Sequence, residues 1–129
     1  MTKRESLQGA KVLLVEDAND IREVFALLLT AEGAVVTATG SGQEASDLGA
    51  RGDFDILLTD LGLPDIPGDI VIRDVVAAAR RRPWVVVVTG YEEPFARRAR
   101  EAGADVVLTK PIAWSTLLDR LVPDARLAA

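Results

Sequence analysis

The sequence predicts an α/β domain built on a doubly wound, five-stranded parallel sheet of order 2-1-3-4-5, with helices on both faces. Three observations carry that expectation. Short apolar runs without polar alternation, Val12-Leu13-Leu14-Val15 and Val85-Val86-Val87-Val88 above all, read as strands buried on both faces. Between such runs lie segments whose apolar residues recur at three and four, the spacing of amphipathic helices, and strand and helix alternate five times with short connections. At 129 residues the chain is short for a dinucleotide-binding fold, and its first strand-to-helix turn, Val15-Glu16-Asp17-Ala18-Asn19, lacks the glycines a pyrophosphate needs.

Each element follows from its residues. Lys11 to Val15 forms the first strand, and from Asn19 the apolar positions Ile21, Val24, Phe25, Leu28 and Leu29 make a helix closed by Gly33. Val35 to Ala38 is the second strand. Ser41-Gly42-Gln43-Glu44 is a capping box that opens a helix through Leu48. Phe54 to Asp60 is the third strand, an apolar run that stops on a carboxylate. The next eight residues, Leu61 to Gly68, hold two prolines and two glycines, so the chain leaves the sheet through a tight, shaped loop. Ile70, Val71, Asp74, Val75 and Ala78 predict a helix running to Arg82 and stopped by Pro83. Val85 to Val88 is the fourth strand, β-branched throughout. Phe95 to Ala102 is a short basic helix closed by Gly103, Val106 to Leu108 the fifth strand, and Ser115 to Leu121 a last helix ended by Pro123. The predicted organisation is an N-terminal lead over 1–10, one domain over 11–122 and a frayed tail over 123–129.

Composition narrows the chemistry. Hydrophobic residues make up 49% and charged residues 27%, the balance of a folded soluble domain, and no apolar run approaches the roughly 20 residues that span a bilayer. The charged opening Met1 to Ser6 is no signal peptide, which makes the cytoplasm the expected compartment and a membrane partner unexpected. Without cysteine or histidine there is no thiolate chemistry and no usual zinc ligand, so any metal is held by oxygen. A net charge of −5 argues against direct binding of nucleic acid.

The residues just past the strands are Glu16 and Asp17, then Asp60, then Thr89-Gly90, then Thr109-Lys110-Pro111. In a parallel sheet these open on one rim, where α/β folds keep their sites. Singly, each has an ordinary reading: acids at a helix start, an Asp before a turn, a strand threonine, a solvated lysine. Together they bring three carboxylates, a hydroxyl and an ammonium to one place. Carboxylates so crowded repel unless a cation joins them, and a set made only of oxygen suits Mg²⁺. One ion, one lysine and a hydroxyl donor make a receptor for a tetrahedral dianion, with the central carboxylate as nucleophile.

These motifs resemble those of the receiver domain of two-component response regulators, over about Lys11 to Leu121. The matching signs are Glu16-Asp17, Leu58-Thr59-Asp60 followed by Leu63-Pro64 and Gly68, Thr89-Gly90, and Lys110-Pro111. The resemblance implies a flavodoxin-like, chemotaxis-receiver-like fold and a bacterial phosphorelay switch, not an enzyme with an external substrate. Asp60 would accept a phosphoryl group from a phosphohistidine of a histidine kinase or histidine phosphotransfer protein. Asp17, Asp60 and the backbone carbonyl of Gly62 would ligate Mg²⁺, with Glu16 acting through water. Lys110 would pair with phosphoryl oxygens, Thr89 would donate a hydrogen bond to one, Gly90 would leave room, and the Lys110-Pro111 bond would be cis.

The chain departs from the family at Val107, where a Tyr or Phe commonly swings inward with the threonine. That departure shifts any conformational change onto the Thr89-Gly90 loop and the following helix, with Tyr91 expected to cover the phosphoryl group. Arg80-Arg81-Arg82 reads as a solvated helix cap, and Arg97, Arg98 and Arg100 as a face for a downstream protein partner. The competing function is an interaction module of the same fold that does not use phosphorylation. A Mg²⁺-dependent phosphohydrolase would place its nucleophile after the first strand as Asp-x-Asp and carry a cap insertion, and a flavin domain would need a hydroxyl-rich loop there; both are missing. No output domain follows Leu121, which is expected of a stand-alone receiver or a piece of a larger protein.

Overall fold

The computed structural model describes residues 7–90 and 93–122. The strands are β1 (Lys11–Val15), β2 (Val35–Thr39), β3 (Ile56–Thr59), β4 (Trp84–Thr89) and β5 (Val106–Thr109). They alternate with α1 (Asn19–Ala31), α2 (Gly42–Arg51), α3 (Gly68–Ala78), α4 (Phe95–Ala102) and α5 (Trp114–Arg120). All strand pairs are parallel, in the predicted order β2-β1-β3-β4-β5.

Alternate residues of the buried strands feed two separate cores. Val12 and Leu14 of β1, Ile56 and Leu58 of β3, and Val86 and Val88 of β4 pack with Leu29, Leu117 and Leu121 on one face. Phe25 of α1 and Trp114 of α5 meet there, with ring centroids 6.1 Å apart. Leu13, Val15, Leu57, Val85 and Val87 face the other way, against Ala45, Val71, Ile72, Val75 and Ala99 from α2, α3 and α4. Burial on both faces is why these strands read as continuous apolar runs. Leu7, ahead of β1, is fully buried in the first core, and the Gly9 amide donates to the Gly33 carbonyl at 2.9 Å.

The predicted helix to Arg82 is shorter than expected. α3 ends at Ala78, and Ala79 is already extended (φ −73°, ψ 137°). Past Ala79 come only arginines, with no apolar residue to hold another turn against the core, and the chain needs these residues to return to β4. Arg80-Arg81-Arg82 is therefore not a helix cap. Arg82 donates to the Asp105 carboxylate at 2.8 Å and to the Gly103 carbonyl, and Asp105 also accepts the Val85 amide at 2.8 Å. α2 extends three residues beyond the expected Leu48, to Arg51, and α5 begins one residue earlier than expected.

Register sets the rim. Val15 of β1 lies opposite Thr59 of β3, so Glu16 and Asp60 leave the sheet at the same level. Val87 is the β4 partner of Thr59, so β4 runs two residues further and carries Thr89 past Asp60, while Thr89 pairs with Thr109 of β5. Lys110 follows directly, its amide donating to the Thr89 carbonyl at 2.8 Å.

Candidate functional site

The Asp60 carboxylate is held from both sides. Asp60 Oδ1 accepts the backbone amides of Leu61 at 2.6 Å and Gly62 at 3.1 Å, and Oδ2 accepts Lys110 Nζ at 2.8 Å. Lys110 Nζ also reaches Glu16 Oε2 at 3.5 Å. Glu16 and Asp60 are buried and Asp17 is exposed, and ligand oxygens of the three lie within 4.8 Å of one another.

The loop around Asp60 closes because Gly68 has no side chain. A Cβ there would run into the Asp60 carbonyl oxygen and come within 2.6 Å of Leu61 Cα. Glycine lets the first turn of α3 lie against the Asp60 backbone, and the Gly68 amide donates to the Leu61 carbonyl at 2.9 Å.

Electrostatics follow from burial and partners. Burial pushes the Asp60 carboxyl up, but the hydrogen bonds from Lys110 and the Gly62 and Leu61 amides outweigh it and hold the group below the usual carboxylate range. Asp60 is thus ionised at neutral pH. Glu16 goes the other way: burial raises it, and the attraction of Lys110 does not fully offset burial and the neighbouring carboxylates. Burial alone would lower Lys110, yet Asp60 and Glu16 keep it above the usual lysine range, so it stays charged.

The donor set fits a hard divalent cation. Three carboxylates against one ammonium leave two negative charges at the cluster. Metal–oxygen bonds of about 2.0–2.1 Å for Mg²⁺ put ligand oxygens roughly 3 to 4 Å apart, compatible with a cluster whose oxygens all lie within 4.8 Å of one another.

The remaining expected residues fall as follows. Thr89 is fully buried at the end of β4. Gly90 is exposed, and a Cβ there would meet nothing within 4 Å. The Lys110–Pro111 peptide is cis. Val107 is half-buried against the second core. The Gly62 amide binds Asp60 Oδ1. Tyr91 lies outside the described residues.

Two side chains that organise the rim were not singled out from sequence. Arg22, on the first turns of α1, folds back to donate to the Glu16 carbonyl at 2.8 Å and to the Asn19 side chain at 2.6 Å, fastening the acidic loop. Asp65, in the loop after Asp60, accepts the Ser41 hydroxyl at 2.9 Å and the Gly42 and Gln43 amides at 2.8 Å each. Ser41 caps its helix as expected, accepting the Glu44 amide at 3.1 Å. The other half of the box is replaced, because the Ser41 amide donates to Thr39 Oγ1 at 3.1 Å. No local pattern marks either contact: Arg22 bonds a carbonyl six residues back, and Asp65 reaches 22 to 24 residues away.

Comparison with known proteins agrees with this geometry. Residues 12–122 match the family model for the response regulator receiver domain. The cell cycle transcriptional regulator CtrA of Caulobacter vibrioides is 33% identical over 111 residues, covering 86% of this chain and 48% of that protein. The chain thus spans about half the length of the curated relatives it matches. Among solved structures, a response regulator from Burkholderia pseudomallei, with a phosphorylated aspartic acid, calcium ion and citrate, has a TM-score of 0.82 and 25% identity. That match covers 92% of this chain and 70% of that one. The receiver domain of a sensor histidine kinase from Pseudomonas aeruginosa, with magnesium coordinated in its active-site cleft, has a TM-score of 0.75 and 27% identity, covering 88% and 97%. No helix among the described residues is long and apolar enough to cross a membrane. By its matched span, its strand order and the residues collected at its rim, the chain belongs to the response regulator receiver domain family.

Proposed function

We propose that this chain is a phosphoacceptor switch that takes a phosphoryl group onto Asp60 from a phosphohistidine of a histidine kinase or histidine phosphotransfer protein. The observation that carries the reading is the Asp60 carboxylate, ionised, bonded to Lys110 at 2.8 Å and grouped with Glu16 and Asp17. In the transfer, a carboxylate oxygen of Asp60 bonds to phosphorus as the P–N bond breaks, and the electron pair stays on the donor's imidazole nitrogen. Asp17, Asp60 and the Gly62 carbonyl would hold Mg²⁺, with Glu16 acting through water. The ion would supply charge neutralisation for the incoming phosphoryl oxygens. Lys110 would move its contact from Asp60 to a phosphoryl oxygen, Thr89 would donate a hydrogen bond to another, and Gly90 would leave space beside them.

The surface next to the site suits a protein donor. Ile21, Val24 and Phe25 of α1 line an apolar groove of about 620 Å³ with Val88, Pro111 and Ile112, at whose edge Lys110 lies. Val24 is 51% exposed, which gives a helical donor an apolar foothold within reach of Asp60. For the downstream partner we propose the α4 face. Among the described residues, Arg97 and Arg100 make exposed pairs, at 3.9 Å to Glu101 and 3.2 Å to Glu93, and Arg98 stacks over Phe95 at 5.6 Å. Such pairs contribute little to stability and exchange readily for an acidic partner.

The test is intact mass after incubation with acetyl phosphate and Mg²⁺, beside Asp60→Asn and beside a sample with EDTA. One phosphoryl group is expected on the wild type and none in either control. A folded wild type that takes no phosphoryl group from acetyl phosphate or from a phosphohistidine donor overturns the proposal in favour of a phosphorylation-independent binding module, the alternative that Val107 already invites.

A further inference from the structure

We infer that Asp65 is a positioning residue for the acceptor site, holding the loop that follows Asp60 in register by capping α2 from across the rim. The inference rests on the phosphoacceptor reading, and concerns how the loop bearing Gly62 keeps its shape.

Three contacts define the device. Both Asp65 oxygens are used: Oδ1 accepts the Gly42 amide, and Oδ2 accepts the Gln43 amide and the Ser41 hydroxyl, all at 2.8 to 2.9 Å. These donors belong to the first turn of α2 and its cap, so a carboxylate from a distant loop satisfies amides that a helix start leaves unpaired. Those charge-assisted bonds hold the Asp65 carboxyl well below the usual carboxylate range although the side chain is exposed.

The anchor at the other end is fixed. α2 is pinned on α3 by the bond from Ser46 Oγ to Asp74 at 3.0 Å and by Gly49, where a Cβ would come within 2.7 Å of Val75 Cγ2. Gly42 is similarly close, since a Cβ there would come within 2.6 Å of Ile66 Cγ1 and 3.2 Å of Asp65 Oδ1. The loop is therefore tied at its start, where Leu61 and Gly62 amides orient Asp60; at its end, where Gly68 closes on Leu61; and in its middle, where Leu63 and Ile66 pack on the second core and Asp65 makes the polar grip on α2. Without the Asp65 tie, the middle of the loop keeps only the packing of Leu63 and Ile66 on the second core and the bond from the Leu63 amide to the Leu61 carbonyl at 3.1 Å, and the Gly62 carbonyl shifts relative to Asp17 and Asp60. Groups that orient a metal ligand typically change metal affinity about 10- to 100-fold when removed.

The experiment measures Mn²⁺ affinity by the electron paramagnetic resonance of free ion, and the Mg²⁺ dependence of phosphorylation by acetyl phosphate, on folded protein. Asp65→Asn tests the carboxylate. Gly42→Ala crowds Ile66 and Val71 as well as Asp65 Oδ1, and so disturbs the same junction from α2 with no change of charge. Asp69→Asn removes an equal charge from the same side of the domain without touching these bonds. The expected result is about 10-fold weaker Mn²⁺ binding and a matching rise in the Mg²⁺ concentration for half-maximal rate in both Asp65→Asn and Gly42→Ala, non-additive in the double variant, with less than about twofold change in Asp69→Asn. A purely stabilising cap would lower the urea midpoint and leave metal affinity unchanged. If Asp65→Asn binds Mn²⁺ like Asp69→Asn while the wild type is phosphorylated normally, the positioning role is wrong and the acceptor reading stands. If the wild type neither binds Mn²⁺ nor takes a phosphoryl group, both fall together.

Discussion

Replacing Gly68 by alanine sets two effects of opposite sign against each other. Alanine is the better helix former by up to about 1 kcal/mol, and Gly68 opens α3, so propensity alone predicts a gain. Packing predicts a loss. The added Cβ would lie 2.6 Å from Leu61 Cα and closer still to the Asp60 carbonyl oxygen, and both obstacles are backbone. Restoring an ordinary contact of 3.4 Å to Leu61 requires a movement of about 0.8 Å between α3 and the acceptor segment. It also stretches the bond from the Gly68 amide to the Leu61 carbonyl, 2.9 Å in the native loop. Overpacking of this kind costs about 1–3 kcal/mol, which exceeds the propensity gain. A displacement near 1 Å at a reacting group costs about 100-fold in rate, so phosphorylation of Gly68→Ala should slow about 10- to 100-fold. Urea unfolding and the rate of phosphoryl addition from acetyl phosphate, followed by mass at saturating Mg²⁺, read the two quantities. A variant as stable as the wild type or more so, phosphorylated within twofold of its rate, would refute the claim that this glycine exists for close approach to Asp60.

Other perturbations probe the charges. Lys110→Met leaves three carboxylates without their ammonium. With the lysine 30% exposed, the loss should be about 2 kcal/mol in EDTA, short of the 3–5 kcal/mol of a fully buried pair, and Mg²⁺ should raise the variant's melting temperature more than the wild type's. The pH dependence has opposite signs at two carboxylates. Asp60, depressed in the fold, stabilises above the ordinary carboxylate pKa and loses that contribution as pH falls through its folded value. Glu16, raised in the fold, favours the folded state at low pH and loses that contribution as pH rises through its folded value. Glu16→Gln should therefore stabilise the metal-free protein at neutral pH while weakening Mg²⁺ binding, as urea midpoints and Mn²⁺ titration would show. Arg22→Ala removes the strap on the Glu16 carbonyl and should cost about 1–2 kcal/mol and weaken metal binding, and unchanged Mn²⁺ affinity would count against its role.

The rim was legible because three of the strands are followed directly by a charged residue. Val15 gives way to Glu16, Thr59 to Asp60 and Thr109 to Lys110, and parallel pairing brings such ends together. What was illegible depends on contacts between distant segments. The early end of α3 follows from the lack of an apolar anchor among Arg80, Arg81 and Arg82, a weaker signal than the proline after them. Asp65 lies between the two prolines of its loop, and its partners at the start of α2 precede it by more than twenty positions. Gly68 was visible as part of a motif, but the backbone it touches was not. Leu7 sat in a stretch read as a lead, and only the fold reveals that the first core closes over it.

The most direct measurement of the central claim is chemical trapping of the phosphorylated protein with borohydride, which reduces an aspartyl phosphate to homoserine, followed by peptide sequencing by mass. Phosphorylation at Asp60 gives homoserine at position 60 alone, dependent on Mg²⁺ and absent without phosphodonor. Homoserine at position 17 instead, or stable phosphate on a serine or threonine with position 60 intact, would contradict it.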